Sequence, residues 1–193
     1  MIDDKESARI KLNSYNAKLR EAFDSVSQDE IFTILMSLLE IRRNSANLFI
    51  AGNGGSASTG QHFSVDIGVG GINRNSVIKS FNLSDNQSVM TALANDKNYE
   101  SVYSAQLSIL GRPRDTLLVI SASGNSENLI NAVHEAKSLG MQTLGLLGFD
   151  GGKLRQICDH SILVSTNMGE YGIVEDVHLS ICHNLTEALR QLN

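Results

Sequence analysis

Five short apolar-rich runs recur between residues 47 and 166: NLFIAG (47–52), SVIKSFNL (76–83), DTLLVISAS (115–123), QTLGLLGF (142–149) and HSILVST (160–166). Each is followed by a segment whose apolar residues recur at helical spacing. The first leads into SASTGQHFSVDIG, the second into NQSVMTALAND and YESVYSAQLSILG, and the third into SENLINAVHEAKSLG, which ends at Gly140. A short helix near GKLRQIC follows the fourth, and GIVEDVHLSICHNLTEALRQLN follows the fifth. Apolar strands alternating with helices belong to a parallel sheet covered on both faces. The expected fold class is therefore α/β, a doubly wound, flavodoxin-like five-stranded parallel sheet. Ligands of such sheets lie beyond the carboxyl ends of the strands, where the strand order reverses. That rule points to the loops after the first and third strands.

The whole chain, residues 1–193, reads as a single domain: N-terminal helices over 1–45, then an α/β core over 46–193. IFTILMSLLEIRR has helical spacing, with Ser27 and Asp29 as caps ahead of it. ESARIKLNSYNAKLREAF is a more polar helix, either an assembly surface or a helix lying on its own domain. The chain is 41% hydrophobic and 19% charged, ordinary for a globular protein. Its formal net charge of −5 argues against a nucleic-acid-binding field, so anions must be held by local devices. Cys158 and Cys182 show no metal or redox spacing and read as free thiols of a reducing compartment. MIDDKESARIKLN lacks the apolar core of a signal peptide, and no run approaches the roughly 20 residues that span a bilayer. A cytoplasmic protein without nucleic-acid or membrane partners is expected.

The two marked loops resemble each other. AGNGGSAS ends the first strand and ISASGNSEN the third, each giving way directly to a helix. Glycine lets a ligand approach the backbone, and a helix N-terminus adds N–H groups and partial positive charge. Gly52-x-Gly54-x-x-Ala57 formally fits a dinucleotide fingerprint, but its acidic partner is due about 20 residues on, and Asp85 lies too far along. No Gly-Lys-Ser/Thr follows, so a P-loop is excluded. Two serine-rich loops on one sheet fit a small phosphorylated molecule better, with no nucleotide cofactor.

His62 and Asp66 stand at i and i+4 on the helix after the first loop and share a face. On the last helix, Glu175 and His183 are eight residues apart, within about 80° of one face. Such sets serve as acid–base pairs or as ligands for a divalent metal such as zinc. His178 reads as a packing or surface residue.

Together these features resemble the sugar isomerase (SIS) domain, and within it the phosphoheptose isomerases. The resemblance rests on AGNGGSAS followed by QHF, on LAND, on DTLLVISASGNSENLINAV, on GFDGGKL and on VEDVHLSICH. It implies an isomerase that interconverts sedoheptulose 7-phosphate and a heptose 7-phosphate through an enediol, in pathways that build heptose for lipopolysaccharide or capsule. It implies that Ser121, Ser123 and Ser126 hold the sugar phosphate, and that Asn53, Gly54, Gly55 and Ser56 line the same pocket. Asp96 of LAND matches an aspartate near the sugar. His62, Asp66, Glu175 and His183 match four positions that bind zinc in some members. Asp66 and His183 match the acid–base pair, and the family is typically a homotetramer.

Three departures stand out. Asp66 replaces a glutamate, placing the carboxylate about 1 Å short, a displacement that matters to catalysis. Glu175 replaces a glutamine, and with Asp66 it would neutralise a divalent cation. GVGGI lacks the arginine that these isomerases commonly carry beside the glycine. Along a regular helix Glu175 and His183 stand roughly 12 Å apart, so either the helix starts irregularly or neighbouring subunits share the site. Two other classes fit parts of the pattern. One is an assembly factor that binds the bacterial replication initiator, which needs neither His62 nor His183. The other is a phosphosugar sensor, which usually accompanies a DNA-binding module.

Overall fold

The computed structural model describes residues 4–74 and 77–192. Ser76, where the second strand was expected to begin, and Asn193, at the end of the last expected helix, lie outside the described residues. Strands β1 (Asn47–Gly52), β2 (Lys79–Asn82), β3 (Thr116–Ser121), β4 (Gln142–Gly148) and β5 (His160–Val164) form one sheet in the order β2-β1-β3-β4-β5. Every pairing is parallel. This is the flavodoxin-like order, with its switch point between β1 and β3.

Two-residue alternation along the strands sorts the core into two layers. Leu48, Ile50, Leu118, Ile120, Leu144 and Leu146 face one side, where they meet helices α2 (Gln28–Asn44), α3 (Gly55–Ile67) and α8 (Tyr171–Gln191). Phe49, Ala51, Leu117, Val119 and Leu147 face the other, against α5 (Ser104–Leu110), α6 (Glu127–Ser138) and α7 (Leu154–Ile157). Between β2 and α5 runs α4 (Gln87–Asp96), which buries no described residue fully.

Local chemistry sets the ends of these helices. Ser27 caps α2 by accepting from the Glu30 N–H, and Gly140 follows α6 with φ 73°. One expected helix is broken. The segment 99–111 starts as a 3-10 turn at Tyr99–Ser101 and becomes helical only at α5. Buried Val102 and Tyr103 sit in the break, and the Tyr103 hydroxyl donates to the Gly52 carbonyl at the end of β1.

The first helix, α1 (Asp4–Asp24), lies along α8. Ala22 is its one buried residue among those described. Two polar ties hold it to the start of α8: Tyr15 Oη donates to Asp176 Oδ2 at 2.6 Å, and Lys18 Nζ pairs with Glu170 Oε1 at 2.6 Å. The first bond, with partial burial behind it, pushes the Tyr15 hydroxyl up to about 12. Along α1, Ile10, Leu12 and Phe23 are exposed.

Candidate active site

The loop after β3 is built to present hydroxyls. Ser121 Oγ accepts from the Gly124 N–H at 3.0 Å and Ser123 Oγ from the Asn125 N–H at 3.3 Å. Each hydroxyl hydrogen is thereby left for a ligand. Ser126 is the N-cap of α6, and its side chain makes no capping bond. It lines a pocket at the helix end whose first-turn N–H groups are open, a place suited to an anion.

The GFDGGKL stretch supports this loop from behind. Asn125 Oδ1 accepts from the Lys153 N–H at 3.1 Å, and the Gly124 carbonyl accepts from the Leu154 N–H at 3.0 Å. Gly124 has φ 64°, and a Cβ there would run into the Gly151 carbonyl. Only glycine satisfies both conditions.

The loop after β1 presents Asn53. Its side chain is clamped by reciprocal amide bonds with Asn128 of α6, both 3.0 Å, and by the Tyr99 hydroxyl at 2.9 Å. Tyr103 adds a contact at 3.2 Å. Burial is the main cause of a raised Tyr103 pKa, against the Ser84 hydrogen bond that lowers it, so the phenol stays neutral. Asn128, Tyr99 and Tyr103 carried no sequence signal beyond lying in or next to the LAND and SGNSEN stretches.

A pocket of about 190 Å³ opens between the loops, lined by Asn53, Ser56, Ser121, Ser123, Ser126, Tyr171 and Glu175 among others. Among the described residues, no lysine or arginine lines it. Tyr171, which sequence reasoning missed, packs edge-to-face on Phe149, with ring centroids 5.0 Å apart. Gly54 is the N-cap of α3 with φ 54°, and Gly55 begins that helix under the Glu175 carboxylate. Asp96 is not among the lining residues. It is exposed at the end of α4, where its carboxylate accepts from the neighbouring Asn95 amide at 2.9 Å.

A second cluster stands on the facing sides of α3 and α8. His62 Nε2 and His183 Nε2 are 3.3 Å apart, and Asp66 Oδ2 lies 3.5 Å from the first and 3.8 Å from the second. Four ligands at the 2.0–2.1 Å bonds of tetrahedral zinc stand about 3.3–3.4 Å from one another. Two imidazoles and one carboxylate oxygen at these spacings fit a divalent ion with an open fourth position. The shorter aspartate side chain therefore still reaches both rings.

Glu175 is the one of the four expected ligands that this chain does not bring to the cluster. The helix starts regularly, so eight residues at 1.5 Å rise keep Glu175 about 12 Å along α8 from His183. Beside His183, Cys182 is fully buried, and that burial raises its pKa beyond any use as a thiolate.

A doubly wound sheet with two hydroxyl- and amide-rich loops at its switch point defines a phosphosugar-type α/β domain. The SIS domain family matches this chain over residues 13–148. The phosphoheptose isomerase of Helicobacter pylori (strain P12) is 34% identical over 192 residues, covering 99% of this chain and 97% of that protein. The phosphoheptose isomerase of Chlorobaculum parvum is 34% identical over 181 residues, covering 92% and 86%. Among solved structures, the phosphoheptose isomerase of Neisseria gonorrhoeae superposes with a TM-score of 0.85 at 25% identity, covering 98% of this chain and all of the other. That of Francisella tularensis gives 0.85 at 26% identity, covering 94% and 97%. The chain belongs to the SIS domain family and groups with its phosphoheptose isomerases.

Proposed function

We propose that this protein interconverts sedoheptulose 7-phosphate and D-glycero-D-manno-heptose 7-phosphate, in the cytoplasm, as a homotetramer whose active sites are shared between subunits. The observation that carries the chemistry is the convergence of His62, Asp66 and His183, which binding alone does not need.

The phosphate rests on Ser121, Ser123, Ser126 and the N-terminus of α6, held by hydroxyls, N–H groups and the helix dipole without a cation. The open-chain sugar then extends towards the acid–base cluster. Asp66 removes the proton from C1 of the ketose and returns it to C2. His183 gives a proton to O2 and takes one from O1, so the enediol forms and collapses without net proton change. In a metal-bound form, a zinc ion held by His62, Asp66 and His183 would instead polarise the sugar oxygens and take over the part of the His183 ring, whose Nε2 could not bind metal and carry the proton at once. Oδ2 of Asp66 is the oxygen that meets the imidazoles, which leaves Oδ1 for the carbon-bound proton.

Two observations support a shared site. The pocket, at about 190 Å³, is below the roughly 300–1,000 Å³ of ordinary small-molecule sites. The α3 face beside the cluster continues into exposed Val65, Val69 and Ile72, an apolar surface suited to a second copy. In that assembly Glu175 of one subunit has a route to the cluster of another.

The test is solvent deuterium incorporation at C1 or C2 of sedoheptulose 7-phosphate. Exchange that disappears in Asp66→Asn while phosphosugar binding persists is the expected result. Unchanged turnover in Asp66→Asn would remove Asp66 from this role. No exchange with any ketose phosphate would leave a binding protein rather than an isomerase.

A further inference from the structure

The end of α3 is held by a residue from another helix. Cations favour helix C-termini, yet the last turn of α3 contains no basic residue of its own. Its carbonyls find partners outside the helix instead. Ser64 accepts from the Ser80 hydroxyl at 2.8 Å and Ile67 from the Ile78 N–H at 3.0 Å. Asp66 accepts from Arg190 Nη2 of α8 at 3.5 Å. Arg190 stands seven residues beyond His183, two turns along the same face of α8. Its Nη1 pairs with Glu187 Oε1 at 2.6 Å. This part of α8 is itself anchored, because Arg42 of α2 donates to the Leu189 and Leu192 carbonyls at 3.0 and 2.8 Å.

Two features set Arg190 apart from an ordinary surface arginine. Its Nε is buried without a hydrogen-bond partner among the described residues, which is unfavourable for a charged group. Its guanidinium also lies over Gly70, in the 3-10 turn Val69–Arg74 that follows α3. A Cβ at residue 70 would come within 2.6 Å of Nη2, whereas the nearest atom outside Arg190, the Val65 carbonyl oxygen, is 3.7 Å away. Gly70 is not among the glycines of positive φ, so the backbone there does not require glycine. What requires it is the room taken by the guanidinium.

We propose that Arg190 is a positioning residue for Asp66. Seated over Gly70, its guanidinium fixes the last turn of α3 against α8 and so sets the place of the Asp66 carboxylate beside His62 and His183. The inference rests on the isomerase reading, in which Asp66 moves the carbon-bound proton, and deepens it. An aspartate reaches the cluster on a single methylene, so a shift of its backbone passes directly to the carboxylate. A misplacement of about 1 Å can lower a rate about 100-fold. Arg190 is not among the residues that line the pocket between the loops, so its effect falls on turnover rather than on binding.

The test compares kcat and KM for sedoheptulose 7-phosphate in the wild type, Arg190→Ala, Gly70→Ala and the double variant. Arg190→Ala is expected to lose about 10–100-fold in kcat, with KM within about threefold of the wild type. Gly70→Ala keeps the arginine but displaces its guanidinium, and should lower kcat in the same way by about three- to tenfold. In the Arg190→Ala background, Gly70→Ala should change kcat by less than about twofold, because the group it displaces is gone. Effects that multiply in the double variant, a loss that appears in KM alone, or wild-type kcat in either single variant overturns the inference. Should Arg190→Ala fold poorly, Gly70→Ala and Arg190→Lys decide the matter. The lysine keeps the charge but cannot hold both partners, so both variants must lower kcat. A wild type that neither turns over sedoheptulose 7-phosphate nor exchanges deuterium into it overturns the isomerase reading, and the inference with it.

Discussion

His178 offers a direct measurement of how firmly α8 is seated over the sheet. The residue is fully buried, one turn beyond Val174, which packs on Gly148 at the end of β4. Neither ring nitrogen has a hydrogen-bond partner of acceptable geometry, although the Leu147 backbone lies close enough to favour the charged form slightly. Burial outweighs that help and lowers the pKa from 6.5 to about 4. Above pH 7 the ring is neutral in both the folded and unfolded states and makes no pH-dependent contribution. As pH falls from 6.5 towards 4, the unfolded chain takes up a proton that the folded chain refuses, so stability falls. The loss is about 2 kcal/mol at pH 5 and levels off near 3 kcal/mol below pH 4.

His178→Leu removes this titration at nearly constant volume, a swap that costs under about 1.5 kcal/mol when packing is kept. The assay is urea unfolding of both proteins at equal concentration from pH 7.5 to 4.5, which holds any assembly term fixed. Carboxylates with lowered pKa, such as Asp159 beside Lys137, lose stability in both proteins and cancel in the difference. The wild type is expected to lose about 2 kcal/mol more than the variant between pH 7.5 and 5. Parallel curves would refute the reasoning, because they would mean that the ring is charged or well partnered in the fold.

Gly124→Ala should lower the Tm by several degrees and raise KM at least about tenfold. The left-handed conformation alone costs about 1–2 kcal/mol, and the added Cβ meets the Gly151 carbonyl. Ser126→Ala should raise KM for the phosphosugar by about 10–100-fold with an unchanged Tm, the loss of one hydrogen bond to a charged group; an unaltered KM would place the phosphate elsewhere. Elemental analysis of purified protein should find about one zinc per chain, falling towards zero in His62→Ala and His183→Ala. Equal metal content in all three proteins would remove the cluster as a metal site.

Periodicity and loop chemistry in the sequence determined the sheet class, the strand positions and the two loops that line the pocket. The apolar runs are local features, and β1 was legible to the residue. The pairing of His62 with Asp66 was equally local, since i and i+4 share a helix face wherever the helix lies. Contacts across long separations required the fold. His183 reaches His62 over 121 residues because α8 packs against α3 on one face of the sheet. The reciprocal bonds between Asn53 and Asn128 exist because β1 and β3 are neighbours, which brings the start of α6 beside the loop after β1.

Tertiary structure also decided which expectations parted company. Asp96 ends α4 and is not among the residues that line the pocket. Glu175 and His183 belong to one regular helix, whose rise leaves Glu175 on the pocket wall and His183 beside His62 and Asp66. The similar loops AGNGGSAS and ISASGNSEN became unlike only when a carboxylate from α8 settled on one of them. Sequence spacing records which backbone shapes are available to a chain. Which side chain fills the space in front of each shape is set by the crossing of elements far apart in sequence, through packing that no local pattern encodes.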